Sequence, residues 1–80
     1  MNHVYFIKSE IKNDWIYVGS TSNLEKRLEQ HNKGEVKSTK GHRPFTLIYT
    51  ETFLTIDEAR AREKEIKMKR IEKERIIRSL

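Results

Sequence analysis

The chain has 80 residues, no cysteine and a formal net charge of +5, so we expect one small domain over residues 1–80 without disulfides or thiolate metal sites. No cationic stretch leads into an apolar run at the N-terminus, and the longest apolar run is Val4 to Ile7. A signal peptide and a membrane span are therefore not expected. The lack of cysteine fits a cytoplasmic protein, which is our prediction.

Basic charge is concentrated at the C-terminal end. Residues 1–59 contain eight basic and eight acidic side chains, whereas residues 60–80 contain nine basic and four acidic ones. This excess favours a polyanionic partner, most naturally a nucleic acid. A solvated helix with mixed charges is the alternative. The candidate contacts to such a partner are Lys37, Lys40, Arg43, Lys67 and Arg70.

Two strands are predicted near the N-terminus. Val4 to Lys8 and Trp15 to Val18 are rich in β-branched and aromatic residues, which is typical of a β-hairpin with a loop of several residues. If that loop centres near Ile11, Tyr5 lies opposite Tyr17, and their phenols share one face of the sheet.

A helix and a loop follow this hairpin. Ser22 with Glu25 has the form of a capping box, so we predict a helix to about Asn32 that stops at Gly34. Residues 35–43 are polar and lack an apolar period. They predict an exposed, mobile loop.

The second half of the chain predicts one strand and further helices. Residues 45–54 alternate, with one apolar face formed by Phe45, Leu47, Tyr49 and Phe53. Residues 55–58 form a second capping-box pattern that opens a helix. Later isoleucines predict another helical piece, and its continuity with the preceding helix stays open. The predicted class is α+β, a small, largely antiparallel three-stranded sheet flanked by helices in the order β-β-α-β-α-α.

Polar side chains occupy helix positions where apolar ones are expected. At 100° per residue, Arg27 and His31 share the face on which Leu24 and Leu28 must pack. A snorkelling arginine and a histidine near a helix end are the structural explanations. On the next helix Glu63 lies inside the apolar arc. A buried carboxylate needs a cation or a metal, and the structural alternative is an ion pair with Arg27 or Lys67.

The hairpin resembles the two-part signature of the GIY-YIG nuclease superfamily. The two triplets read His3-Val4-Tyr5 and Tyr17-Val18-Gly19. The resemblance extends over the chain, since Arg27, His31 and Glu63 match the superfamily's arginine, histidine-or-tyrosine and glutamate positions. Length and Gln30-His31-Asn32 most resemble small stand-alone bacterial proteins of the UPF0213 type.

The resemblance implies hydrolysis of a nucleic-acid phosphodiester, DNA more than RNA, with one divalent metal, Mg²⁺ or Mn²⁺, bound by Glu63. Arg27 stabilises charge on the phosphate. Tyr17 is the implied general base, and Tyr5 with His31 orients water or assists proton transfer. Because an ordinary tyrosine has a pKa of about 10, the expected activity rises toward alkaline pH and is lost in Tyr17→Phe.

Two departures from the family leave alternatives open. Some relatives carry a lysine after the second glycine, where this chain has Ser20, and better-characterised members carry a separate DNA-recognition domain. A binding module of the same fold that does not cut, or that depends on a protein partner for targeting, is the first alternative. The second is an interaction protein that docks through an exposed apolar stripe formed by Ile66, Ile71 and Ile77.

Overall fold

A three-stranded sheet with three α-helices makes up the fold in a computed structural model that describes all 80 residues. The strand order is β2-β1-β3 and both pairings are antiparallel. The predicted α+β class and element order are confirmed. The elements are β1 (Asn2–Ser9), β2 (Ile16–Thr21), α1 (Leu24–Asn32), β3 (Phe45–Phe53), α2 (Ile56–Met68) and α3 (Arg70–Arg78).

The central strand β1 is buried on both faces. Val4 and Phe6 pack on α2 in a cluster with Ala59 and Ile66, while the side chains between them point to the opposite face, which α1 covers. This alternation follows from the two-residue period of a strand. The outer strand β2 has its second edge unpaired, and this edge positions the site described below.

The hairpin register differs from the predicted one. Tyr5 pairs with Gly19, and Tyr17 pairs with Ile7, so the two tyrosines are offset by two residues instead of lying opposite each other. The predicted shared face is nevertheless found, because a two-residue offset preserves the side of the sheet. The ring centroids of Tyr5 and Tyr17 lie 6.4 Å apart.

A β-bulge divides β3 between the two faces of the sheet. Phe6 pairs with Tyr49, whereas its neighbour Ile7 pairs with Leu47, so Ile48 is an additional residue. The predicted single apolar face of this strand is therefore wrong. Residues before the bulge join the cluster on the α1 face, and residues after it join the α2 face; these are Phe45 and Leu47, then Tyr49 and Phe53.

The N-terminus of α1 also differs from the prediction. Its N-cap is Asn23, whose side chain accepts a hydrogen bond from the backbone of Lys26, and the predicted capping box at Ser22 is wrong. Asn is as good an N-cap as Ser, so sequence pattern alone does not choose between neighbouring positions. The predicted helix end is confirmed, with Gly34 at φ 78°.

The segment between α1 and β3 is folded against the core. Thr39 is fully buried, and a 3₁₀ turn spans Lys40–His42. The imidazole of His42 stacks on the ring of Trp15, with centroids 4.0 Å apart. Most of residues 35–43 are exposed, as expected for this loop, while the buried Thr39 and the stacked His42 anchor it to the core. Its mobility stays a prediction.

The C-terminal region consists of two helices. The predicted capping box at Thr55 and Glu58 is confirmed at the start of α2. Lys69 adopts an extended conformation between α2 and α3, which breaks the helix. Arg62 binds carboxylates of β3, α2 and α3, which are Glu51, Glu65 and Glu72.

The apolar residues of the last two helices do not form an exposed stripe. Ile66 is fully buried, Ile77 packs against the core, and Ile71 alone of the three is mostly exposed. The interaction-protein alternative therefore loses the feature on which it depended. None of the helices has both the length and the apolar character needed to cross a membrane.

Candidate functional site

A chain of buried hydrogen bonds lies beneath the α1 face of the sheet. The hydroxyl of Tyr5 lies 2.8 Å from Nε2 of His31, and Nδ1 of the same imidazole lies 2.8 Å from the hydroxyl of Thr39. Thr39 in turn donates to the carbonyl of Val36. With that donation, Nδ1 carries the proton of His31, and Nε2 accepts from Tyr5. The three side chains are 0–1% exposed.

Burial holds both ring groups of this chain in their neutral forms. It raises the pKa of Tyr5 to about 12, against the lowering effect of the nearby Arg27. Burial, followed by the charge of Arg27, lowers the pKa of His31 to about 4. At neutral pH the pair is therefore an uncharged phenol that donates to an uncharged imidazole.

Gly19 leaves the space that the Tyr5 ring occupies. A Cβ added to Gly19 would lie 2.4 Å from the phenolic oxygen of Tyr5 and 2.6 Å from its Cζ. No side chain fits there without moving the ring. The glycine of one sequence triplet and the tyrosine of the other therefore form a single contact.

The second tyrosine of the signature is in a different environment. Tyr17 is half-buried, stacks on Trp15 with a centroid separation of 6.3 Å, and its hydroxyl has no hydrogen-bond partner within the protein. The ammonium of Lys67 lies 5.1 Å from the ring centroid, a cation–π arrangement. Since Lys67 comes from the helix on the opposite face, these two side chains meet at the unpaired edge of β2.

Glu63 is held at the same edge by two partners. The hydroxyl of Ser20 donates to Oε1 at 2.5 Å, and the ammonium of Lys67 donates to Oε2 at 2.7 Å. Of the two predicted ion-pair alternatives, the structure shows the one with Lys67. One half-buried carboxylate beside a hydroxyl oxygen fits a Mg²⁺-type ion, which prefers oxygen ligands and often takes only one or two carboxylates.

Arg27 faces a polar cleft next to this carboxylate. Its guanidinium donates to the side-chain oxygen of Gln30 at 3.2 Å and has no acidic partner. Arg27 and Ser20 both line the cleft. The ring centroid of His31 lies 5.6 Å from that of Tyr5 and 5.3 Å from that of Tyr17, and Lys67 contacts both Tyr17 and Glu63. With Arg27 in the adjacent cleft, the five predicted catalytic positions lie in one region.

The sequence of the chain matches a known protein family. A family profile described as the GIY-YIG catalytic domain matches residues 1–75. The chain belongs to the GIY-YIG family. No solved structure matches the chain significantly.

Relatives of this GIY-YIG chain are named UPF0213 proteins. One from Clostridium perfringens is 46% identical and the match covers 84% of this chain and 71% of the relative. One from Staphylococcus haemolyticus is 43% identical, with 82% and 79% covered. The similarity is not confined to bacteria, because a protein of the archaeon Halobacterium salinarum is 41% identical, with 92% and 96% covered.

The predicted nucleic-acid contacts of this GIY-YIG domain fall into two groups. Lys67 and Arg70 line a second cleft, together with Lys73. Arg70 is paired there with Glu74. The three loop cations line neither this cleft nor the one at Arg27; they are Lys37, Lys40 and Arg43.

Sequence reasoning missed two side chains that shape the site. The sequence drew attention to Ser20 only because some relatives carry a lysine at this place, yet the hydroxyl of Ser20 donates a hydrogen bond to Glu63. Its strand position gave a signal, because Ser20 lies two residues after the buried Val18 and therefore faces α2. Thr39 gave no signal, since it stands in a segment without periodicity.

Proposed function

We propose that this GIY-YIG domain is a metal-dependent endonuclease that hydrolyses nucleic-acid phosphodiesters, with DNA favoured over RNA. The observation that carries the proposal is the position of Glu63. It is a single carboxylate at the unpaired edge of β2, between the cleft with Arg27 and the ring of Tyr17. Binding a phosphate does not need a carboxylate beside it, whereas metal-assisted hydrolysis does.

Glu63 would hold a divalent ion, Mg²⁺ or Mn²⁺, with the hydroxyl of Ser20 as a neighbouring oxygen. Such an ion, when bound, neutralises phosphate charge and stabilises the leaving oxygen. Lys67 shares the carboxylate, so it must give up its bond to Oε2 if that oxygen binds the ion. Ser20 keeps Oε1 oriented in the meantime.

The remaining residues have separate tasks in this proposal. Arg27 has a guanidinium without an acidic partner, and it binds the non-bridging oxygens as their charge grows. Tyr17 has a hydroxyl without a protein partner, so it is open to accept a proton from the attacking water. Tyr5 and His31 are buried and hydrogen-bonded to each other, which fits a positioning role beneath the site.

A cleavage assay tests the proposal. Purified protein is incubated with single-stranded, duplex and branched DNA and RNA, with Mg²⁺ or Mn²⁺. Glu63→Gln should slow cleavage by at least about 100-fold because it removes the metal's carboxylate. Glu65→Gln is the matched control, since it makes the same charge change on the same helix away from Ser20 and Tyr17. Equal rates in both variants contradict the assignment of Glu63.

One observation favours a second candidate, a nucleic-acid-binding module of the same fold. Both oxygens of Glu63 already have protein partners, Ser20 and Lys67. This candidate predicts salt-sensitive binding of the same oligonucleotides without cleavage. Cleavage that depends on Glu63 excludes it. Cleavage that appears only after adding a cell extract points to a protein partner that targets the enzyme.

A further inference from the structure

The cleft beside Arg27 is the largest in the molecule and is electropositive. It has a volume of about 730 Å³ and lies between the ends of β2 and β3 and the helices α1 and α2. Ten residues line it, two of them apolar and none of them acidic. Its volume lies within the range of about 300–1,000 Å³ that is typical of ligand sites.

Two guanidinium groups line this cleft without a carboxylate to neutralise them. Arg27 donates to the amide of Gln30 and pairs with no carboxylate, and Arg60 forms no ion pair or side-chain hydrogen bond. The contrast is with Arg62, two residues further along α2, which binds three carboxylates. An unneutralised guanidinium is suited to an anion with several oxygens, such as a phosphate, so the two arginines can bind two neighbouring phosphates of one strand.

Glu63 is adjacent to the residues that line this cleft, although it does not line the cleft itself. Arg60 and Glu63 are three residues apart on α2, so their side chains are neighbours on one face, about 4.5 Å apart along the helix axis. Ser20 lines the cleft and donates to Glu63. An anion held by Arg60 therefore lies next to the reaction centre and not within it.

We propose that this cleft binds the nucleotide unit that neighbours the cleaved bond, through a phosphodiester held by Arg60. The proposal rests on the endonuclease function for the position of the cleaved bond. Arg27 serves the reacting phosphate, and Arg60 serves the adjacent one. Arg60 is thus a substrate-binding residue that fixes the direction in which the strand crosses Glu63.

The test compares Arg60→Gln with Arg78→Gln by fluorescence anisotropy of a labelled single-stranded oligonucleotide, without divalent metal, at several salt concentrations. Both variants lose one guanidinium from an exposed helix position, but Arg78 lines no cleft. Losing one phosphate contact should reduce the slope of log affinity against log salt by about 0.7. We expect this reduction, with about tenfold weaker binding, in Arg60→Gln, and an unchanged slope in Arg78→Gln.

Cleavage by the same proteins with Mg²⁺ or Mn²⁺ separates this proposal from the function on which it rests. Cleavage by the wild type together with equal salt slopes in both variants overturns the role of Arg60 and leaves the endonuclease standing. A reduced slope in Arg60→Gln alone, without any cleavage by the wild type, supports an anion site in the cleft and overturns the endonuclease. If the wild type does not bind the oligonucleotide at any salt concentration, the cleft proposal is overturned.

Discussion

The face of the sheet that α2 covers buries only apolar side chains, with Val4 and Phe6 at its centre. The face that α1 covers instead buries the hydrogen-bonded chain from Tyr5 through His31 to Thr39. An apolar cluster loses stability gradually as volume is removed. A buried chain of hydrogen bonds loses stability as soon as one side chain is substituted, because a neighbouring polar group is then left without a partner. The more demanding face is the one that carries both signature tyrosines.

The largest expected effect is on the apolar face. Phe6→Ala removes a fully buried ring from the centre of the sheet and should lower the free energy of unfolding by about 3–5 kcal/mol. Urea denaturation measures the loss. In such a small domain this change can prevent folding, so Phe6→Leu is the second variant, with a smaller loss. A loss below 1 kcal/mol in Phe6→Ala would contradict the central place of this ring.

The polar face should respond to pH. The pKa of His31 is about 4 in the folded protein and near 6.5 in an ordinary histidine. Between these values the unfolded chain binds a proton that the folded chain does not, so stability falls as the pH falls through this range. The expected loss is up to about 3 kcal/mol. Urea denaturation at pH 7 and pH 4 should show this additional loss in the wild type relative to His31→Gln; equal losses would refute it.

Substitution of Tyr5 should mainly lower stability, whereas substitution of Tyr17 should mainly lower activity. Tyr5→Phe leaves Nε2 of His31 buried without a donor and should cost about 1–3 kcal/mol of stability. Tyr17→Phe removes a hydroxyl that has no protein partner, so its stability should be near that of the wild type while cleavage is lost. Thermal melts and cleavage rates are measured for both. Similar melting temperatures would show that the buried hydrogen bond does not stabilise the fold.

The smallest effect on stability is expected for the ion pairs of Arg62, at the edge of the sheet face that α2 covers. Arg62→Gln breaks the half-buried ion pairs that join α2 to β3 and α3. We expect a loss of about 1 kcal/mol that diminishes at high salt, because charges near the surface are screened. Denaturation at 0.1 M and 1 M salt measures it. A loss that does not change with salt would mean that Arg62 contributes packing and not charge.

The elements of the fold were predictable because each depends on local periodicity. Alternation predicted β3, and the capping box predicted the start of α2. The bulge at Ile48 was not predictable, since it depends on how β3 pairs with β1 and not on its own residues. The register of the hairpin was missed by two residues for the same reason, because a loop of uncertain geometry joins the strands.

The candidate site was predictable where a polar residue fell on an apolar face. Arg27 and His31 were identified in this way, and the resemblance to the GIY-YIG family selected the same positions. Thr39 could not be found, because a buried threonine in a loop has no pattern in the sequence. Arg60 was also missed. Its significance lies in lacking the carboxylate partners that Arg62 has, and only tertiary contacts reveal that.

The close contact between Gly19 and Tyr5 has a consequence for how this family changes over evolution. The two positions lie on neighbouring strands, 14 residues apart in the chain. They are sterically coupled, so a substitution at one position constrains the residue at the other. A descendant that replaces the glycine must move or lose the aromatic ring, because the added carbon would meet Cζ even in phenylalanine. Sequences with a larger residue at position 19 should therefore carry a small one at position 5.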